Sequence, residues 1–300
     1  MEPQRIGLVG VGNMGAPMAR CLVKSGHPVM LYDTRAAVVE PLVAETDLFS
    51  AAPDLPTLGR QCNVVVTMLP DSKVVRRAAM GEDGKGGFAS TLARGSVVVD
   101  MSSSYPLDTV KLGEELAARG VALVDAPVSG GVPRAVTGEL AIMVGGNAAE
   151  IDRIAPMLEA MGKVHRTGKL GSGHAMKALN NYVSAAGLIA TSEALVVGRS
   201  FGLDPEQMVE ILNASSGRNN TTENKAKRYM LSRKFDSGFA LALMEKDVGM
   251  ARRLADEISV PAGELAFVSD LLGRVMGELE AGADHTAVYR WVEHNAQSKA

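Results

Sequence analysis

The chain of 300 residues carries 31 Lys and Arg against 34 Asp and Glu, a net charge of −3. A polypeptide of this length is long enough for two domains, each with a core of its own, and one small domain is excluded. Its basic residues are spread rather than blocked, which excludes the charge footprint of a nucleic-acid or membrane-surface protein.

The first apolar run begins at about Arg5, so no signal or transit peptide is expected ahead of it in this sequence, with a leader already processed away as the alternative. Ile6-Gly7-Leu8-Val9 feeds Gly10-Val11-Gly12-Asn13-Met14-Gly15, a G-x-G-x-x-G turn between a strand and an amphipathic helix from Met18 to Lys24. In such a turn Gly10 permits the tight bend and Gly12 lets the backbone approach a pyrophosphate. Gly15 lets the helix pack on the strand, with its N-terminus toward the phosphate charge. Gly26 is placed to end that helix, and Val29 to Asp33 reads as the second strand. Asp33 stands where an acidic side chain would hold a ribose 2′-hydroxyl, which points to a bound dinucleotide; a helix-capping Asp33 would not account for the glycines.

Further apolar runs at Asn63–Met68, Ser96–Asp100 and Val121–Asp125 alternate with helical patterns, the signature of a parallel sheet covered on both faces. Leu140–Val144 and Lys163–Arg166, separated by a helix over Ala148–Met161, would extend it at one edge. From Lys169 the pattern turns helical: Gly173–Phe201, Pro205–Ala214, Thr222–Ser232, Ala240–Ile258, Ala262–Glu280 and Thr286–Asn295. The expected fold is α/β, a Rossmann-type doubly wound parallel sheet over residues 1–167 followed by an all-helical C-terminal domain over 168–300. Glycines between Thr167 and Gly173 act as the hinge, and a cleft between the domains is the expected catalytic place. Ala178 to Val197 is apolar but interrupted by Asn180, Asn181, Ser184, Ser192 and Glu193, so it reads as a helix buried in protein rather than in a bilayer.

Three segments carry candidate chemistry. Asp125-Ala126-Pro127-Val128-Ser129-Gly130-Gly131 follows a strand end, where ligands of open α/β sheets bind. Its Ser129 hydroxyl and the Gly130 and Gly131 N–H groups suit a carboxylate, or the segment is a turn without a ligand. Ser102, in Asp100 to Pro106, faces a substrate or nicotinamide, or caps the following helix. Lys177 and Asn181 are four residues apart and share one helix face. A desolvated Lys177 with a lowered pKa would serve as general acid/base and Asn181 would bond the substrate oxygen; the alternative is a surface lysine beside a packing asparagine. His174 is read as structural or exposed. Cys21 and Cys62 have no His beside them in a catalytic signature and suit a reducing compartment, the cytoplasm. The five histidines show no H-x-x-x-H spacing, so no metal is expected.

These segments, with Met14-Gly15-Ala16-Pro17-Met18-Ala19 and the later Lys246-Asp247, stand in an order that resembles the β-hydroxyacid dehydrogenase family, which includes 3-hydroxyisobutyrate dehydrogenases and tartronate semialdehyde reductases. The resemblance covers nearly the whole length and implies reversible oxidation of a short 3-hydroxy acid to its semialdehyde or keto acid. It implies that Lys177 is catalytic with Asn181 as its partner, and that Ser129, Gly130 and Gly131 hold the substrate carboxylate. Ser102 and Lys246 would line the cofactor and substrate site, Asp247 would support it, and Met68-Leu69-Pro70 would flank the adenosine half. Relatives that use NADP tend to carry Asn-Arg where this chain has Asp33-Thr34, so NAD is the expected cofactor, with Arg35 leaving NADP as the alternative. A tartronate semialdehyde or other polar hydroxy-acid substrate is the alternative reading, because Ser215 to Thr222 is rich in donors: Arg218, Asn219 and Asn220 bind extra polar groups, or the loop caps the next helix. Imine-reducing relatives and the family's non-catalytic dinucleotide-binding form usually lack the lysine present at 177. A homo-oligomer, dimer or tetramer, is expected, with Leu271, Leu272, Val275, Val288 and Trp291 exposed for burial by a second subunit.

Overall fold

The computed structural model describes residues 4–82 and 84–297. Its strands are β1 (Ile6–Val9), β2 (Val29–Tyr32), β3 (Phe49–Ala51), β4 (Val64–Thr67), the short pair β5 (Gly81–Glu82) and β6 (Lys85–Gly86), β7 (Val97–Asp100), β8 (Ala122–Asp125), β9 (Val128–Ser129), β10 (Leu140–Gly145) and β11 (Gly162–Gly168). The chain divides into two compact units, one ending at Lys177 and one starting at Ala178.

The first unit is built on a sheet of order β3-β2-β1-β4-β7-β8-β10-β11. From β3 to β8 every neighbouring pair is parallel, as the strand–helix alternation predicts. β1, β4 and β7 are buried at all four positions because helices cover both faces. Val64 and Val66 of β4 face one core with Met18, Leu22, Ile154 and Leu158, and Val65 between them faces the other with Leu58, Leu112 and Leu116. At the far edge β10 runs antiparallel to β8 and to β9, and only β11 beside it is parallel again. β9 pairs Ser129 with Ala141 and Val128 with Ile142, and this fold-back commits β10 to the reversed direction.

The second unit is helical. The helix Ser172–Phe201 enters it from the first unit and is followed by helices Pro205–Ala214, Asn220–Asn224, Leu241–Glu257, Gly263–Glu278 and Val288–Gln297, with a π-helical stretch at Ala226–Leu231. Where the sequence pattern predicts one helix over Thr222–Ser232, the widened stretch interrupts it after Asn224. The core includes Ala185, Leu188, Leu195, Val209, Met230, Met244, Val248, Leu265, Val268 and Tyr289. Leu271, Leu272, Val275 and Val288, expected on the surface, belong to this same core, and Trp291 is partly buried against it. The Gly263–Glu278 helix lies on Leu241–Glu257 and turns Leu272 and Val275 inward, so the apolar period there serves the protein's own interior. Large apolar side chains left exposed include Val183, Val197 and Phe201 along the long helix, Ile211, and Phe267 and Met276 on the Gly263–Glu278 helix. Among the described residues no helix is long and apolar enough to cross a membrane.

Candidate active site

β1 and β4 are adjacent in the sheet, and the chain leaves their carboxyl ends in opposite directions, toward β2 on one side and β7 on the other. A crevice of this kind is where open α/β sheets bind ligands. The turn Gly10–Gly15 follows β1, and Met68-Leu69-Pro70 follows β4. Gly10 has φ of +94° and lies so close to Met68 that an added Cβ would come within 2.3 Å of its carbonyl oxygen; at Gly15 a Cβ would come within 1.9 Å of the Gly10 oxygen. Gly12 is different: the nearest atom to its missing Cβ is Nη2 of Arg35, 3.8 Å away. Two glycines close the turn and the third leaves bare backbone facing open space, and this arrangement fits a dinucleotide pyrophosphate. Asn13 is exposed and Met14 half-buried at the start of the helix. At the end of β2, Asp33 accepts from the Val11 N–H at 3.1 Å and from the Arg35 N–H at 3.0 Å. The Arg35 guanidinium lies 3.4 Å from the same carboxylate. Asp33 is thus tied to the glycine turn and at the same time holds the cation nearest to it.

Behind this crevice lies a buried polar cluster. Asp100, which ends β7, accepts from the Thr67 hydroxyl at 2.9 Å, from the Ser104 hydroxyl at 2.6 Å and from the Ser102 N–H at 3.0 Å. The Ser102 hydroxyl in turn accepts from the Leu69 N–H at 2.9 Å, so Ser102 buttresses the loop after β4. Asp125, which ends β8, accepts from the N–H groups of Gly171 and His174, both at 2.8 Å. Its carboxylate therefore caps the long helix, where the backbone dipole favours negative charge. Burial raises the Asp125 pKa, a shift opposed by the His174 ring and by these N–H bonds. Gly173 makes the approach possible, because a Cβ there would meet the Met143 carbonyl oxygen at 2.3 Å and Asp125 at 2.8 Å. His174 is structural, as expected, but buried rather than exposed. Its Nε2 lies 3.1 Å from the Ser102 carbonyl and its Nδ1 2.8 Å from the Thr109 hydroxyl. The Nε2 assigned from this network carries hydrogen, since a carbonyl can only accept.

One turn after His174 the same helix presents Lys177, 9% exposed. Asn181 follows one turn later and donates to Asp247 at 2.5 Å, so the carboxylate fixes which way the amide faces. Lys246 lies 3.8 Å from the other Asp247 oxygen. The turn Ser129-Gly130-Gly131 is open to solvent, with both glycines at positive φ. Asn219 is spent as the cap of Asn220–Asn224, in a capping box with Thr222, and reaches Thr191 on the long helix. Arg218 is exposed and pairs with Glu223. The donor-rich loop thus caps a helix, which was one of its two sequence readings. Burial holds both thiols up, that of Cys62 at about 11, so neither is a ready nucleophile. Among the described residues no three His, Cys, Asp or Glu side chains gather as a metal site.

Two family models match in succession: the NAD-binding domain of 6-phosphogluconate dehydrogenase over residues 5–171, and the NAD-binding region of NADP-dependent 3-hydroxyisobutyrate dehydrogenase over 171–292. The 2-(hydroxymethyl)glutarate dehydrogenase of Eubacterium barkeri is 37% identical, over 91% of this chain and 90% of its own. The chain belongs to the β-hydroxyacid dehydrogenase family. The NAD-dependent L-serine dehydrogenase of Pseudomonas aeruginosa is 35% identical over 88% of this chain and 90% of its own. A solved 3-hydroxyisobutyrate dehydrogenase of Mycobacterium tuberculosis, described with L-serine, superposes with a TM-score of 0.88 at 29% identity, covering 96% of this chain and 99% of that one. The protein is accordingly an NAD(P)-dependent dehydrogenase of CH–OH groups.

One residue of the dehydrogenase that the sequence pattern did not single out is Lys225. Its ammonium donates to the Ser184 hydroxyl at 3.2 Å, and Ser184 stands one turn beyond Asn181. Burial lowers its pKa from the usual 10.5 to about 8, against the opposing pull of Asp284. Between pH 8 and about 10.5 the unfolded chain keeps this proton and the folded one releases it, so this group makes stability rise with pH through that window. Lys225→Met is expected to raise the melting temperature at pH 7, where the folded protein bears the cost of the buried charge, and to lose most of that gain by pH 10. Melting curves at the two pH values check this; an equal shift at both would remove the charge as its cause.

Proposed function

We propose that the enzyme reversibly oxidises a short 3-hydroxy carboxylic acid to its semialdehyde or keto acid, in the manner of a 3-hydroxyisobutyrate dehydrogenase, with NAD as the preferred cofactor. The observation that carries this reading is the pairing of Lys177 and Asn181 on one face of a helix, with the helix start capped by Asp125 and the Asn181 amide held by Asp247. Gly10, Gly12, Asn13, Met14 and Gly15 would hold the pyrophosphate, Asp33 the adenosine ribose, and Met68, Leu69 and Pro70 the adenosine side, with Ser102, Lys246 and Asp247 supporting the site. When bound, the nicotinamide supplies the acceptor for the hydride leaving the carbinol carbon.

The protein's part is to bind, orient and move a proton. The Ser129 hydroxyl and the Gly130 and Gly131 N–H groups receive the substrate carboxylate. Asn181 bonds the substrate oxygen, and Lys177 takes its proton during oxidation and returns it during reduction. Lys177 is 9% exposed, so its amine is largely withdrawn from bulk water where the proton moves. A more polar substrate, such as that of the tartronate semialdehyde reductases or the dicarboxylate that names the Eubacterium barkeri relative, is the second reading. It draws support from Lys225, a part-buried cation that donates to Ser184, one turn beyond Asn181 on the long helix; Asn219 is taken up as a helix cap. We further propose a homo-oligomer that covers Val183, Val197 and Phe201, the last 85% exposed. A reducing compartment such as the cytoplasm suits the free, buried Cys21 and Cys62.

With a panel of hydroxy acids and NAD, wild-type enzyme is expected to form reduced nicotinamide, followed by its absorbance, and Lys177→Ala to lower kcat by roughly 10²–10⁴. Near-normal kcat in the variant would remove Lys177 from the chemistry. Asp33→Ala removes the carboxylate that repels a 2′-phosphate and releases Arg35, so the ratio of kcat/KM for NADP over NAD should rise by roughly tenfold or more; a wild type that already prefers NADP would refute the role given to Asp33. Light scattering in solution should return at least twice the 31.5 kDa chain mass, and a monomer would exclude the assembly.

A further inference from the structure

A cavity of about 550 Å³ in the helical unit is lined by Arg199, Arg233, Arg290, Glu293 and His294. Arg199 lies in the last turn of the long helix, 18 residues beyond Asn181, which places it roughly 27 Å further along at 1.5 Å per residue. The cavity is therefore separate from the residues assigned to catalysis on that helix.

Its walls are organised around a carboxylate. Glu293 is buried, and each of its oxygens takes one arginine: Oε1 accepts from Arg199 Nη1 at 2.6 Å, and Oε2 from Arg233 Nη1. Arg290 bonds Glu280 through Nη2 alone. Three guanidinium groups thus share two carboxylates, each through a single nitrogen, although a guanidinium has five N–H donors in a planar fork. Aromatic faces hold the cations in place: Arg233 lies 5.2 Å from the Phe235 ring centre and 5.9 Å from that of Tyr289, and Arg290 lies 5.6 Å from Phe235. The backbone adds a separate observation. Arg233 and Phe235 have φ of +64° and +48°, two of the three non-glycine residues in the left-handed region among the described residues. Side chains disfavour that conformation, and it persists where the surrounding structure requires the placement it gives.

We propose that Arg199, Arg233 and Arg290 form a binding site for a compact oxyanion bearing two or more negative charges, a polyphosphate or a polycarboxylate. Such a ligand meets a net positive cluster, takes the guanidinium donors that Glu293 and Glu280 leave unspent, and fits a cavity of this volume. Glu293 orients the two inner arginines, and Arg290, at the surface, completes the site.

The test is calorimetric titration of the full chain, saturated with NAD so that the glycine turn is occupied, with inorganic pyrophosphate and separately with citrate at matched ionic strength. The expected result is saturable binding of at least one anion, a rise in melting temperature with that anion, and a tenfold or greater loss of affinity in Arg290→Gln, a surface change that leaves both Glu293 contacts in place. Binding of pyrophosphate alone assigns a phosphate ligand, and of citrate alone a carboxylate ligand. No saturable binding of either anion, or equal binding by wild type and Arg290→Gln, overturns the proposal.

Discussion

The bond from the buried Asp125 carboxylate to the N–H groups of Gly171 and His174 is the constraint on which the candidate site depends. Asp125 ends β8, and the two N–H groups open the helix that carries Lys177 and Asn181. A carboxylate removed from water costs several kcal/mol unless hydrogen bonds or opposite charge compensate it. Here two N–H groups of a helix terminus supply part of that compensation. The same bonds fix where the helix begins, and in a rigid helix the start sets the direction of every later side chain. Asp100 does the equivalent for the neighbouring loop by gathering Thr67, Ser102 and Ser104, and Ser102 passes the constraint to Leu69. Loops at three strand ends, β4, β7 and β8, are thereby joined by one polar network rather than left to fluctuate separately.

Close backbone approach completes what the carboxylates begin. The turn after β1 touches the strand end at Met68, and helix and turn meet at Gly15 and Gly10, with no space for a side chain at either. Gly12 has space and no backbone neighbour, so the same motif contains positions that glycine fills for steric reasons and one that it fills for access. Spacing alone does not separate these roles; the distances do.

Much of this was legible in the sequence because it rests on local rules. Runs such as Val64-Val65-Val66 and Val97-Val98-Val99 are short and β-branched, which favours strands covered on both faces, and the glycine turn, Asp33 and the Lys177–Asn181 spacing are short-range patterns. What escaped depends on partners distant in the chain. β3 is three residues with only Phe49 buried, too short to stand out, and β9 is two residues whose pairing with β10 reverses a strand direction. His174 reads as an isolated imidazole until Thr109 and the Ser102 carbonyl are seen beside it, 65 and 72 residues away. The apolar period of Leu271, Leu272 and Val275 states that one face is buried but not by what, and a helix of the same chain covers it. Periodicity reports burial; it does not report whether the partner is the chain itself or a second copy.

The long helix shows how an apolar segment is given direction by a few polar contacts. Ala185, Leu188 and Leu195 fix its buried face, yet apolar packing alone permits a slip by a turn, since one small aliphatic residue substitutes for another at modest cost. Hydrogen bonds do not permit it: Asn181 is held by Asp247, Ser184 by Lys225, Thr191 by Asn219 and Arg199 by Glu293. A slip of one turn would break all of these bonds together, and at the buried groups, Asn181, Asp247, Thr191 and Glu293, each such loss costs on the order of 1–3 kcal/mol. Two of the polar residues that interrupt this segment, Asn181 and Ser184, are thus among those that set its register. They also explain how an amine at Lys177 keeps a defined position at one end while a strained arginine cluster is assembled around the other.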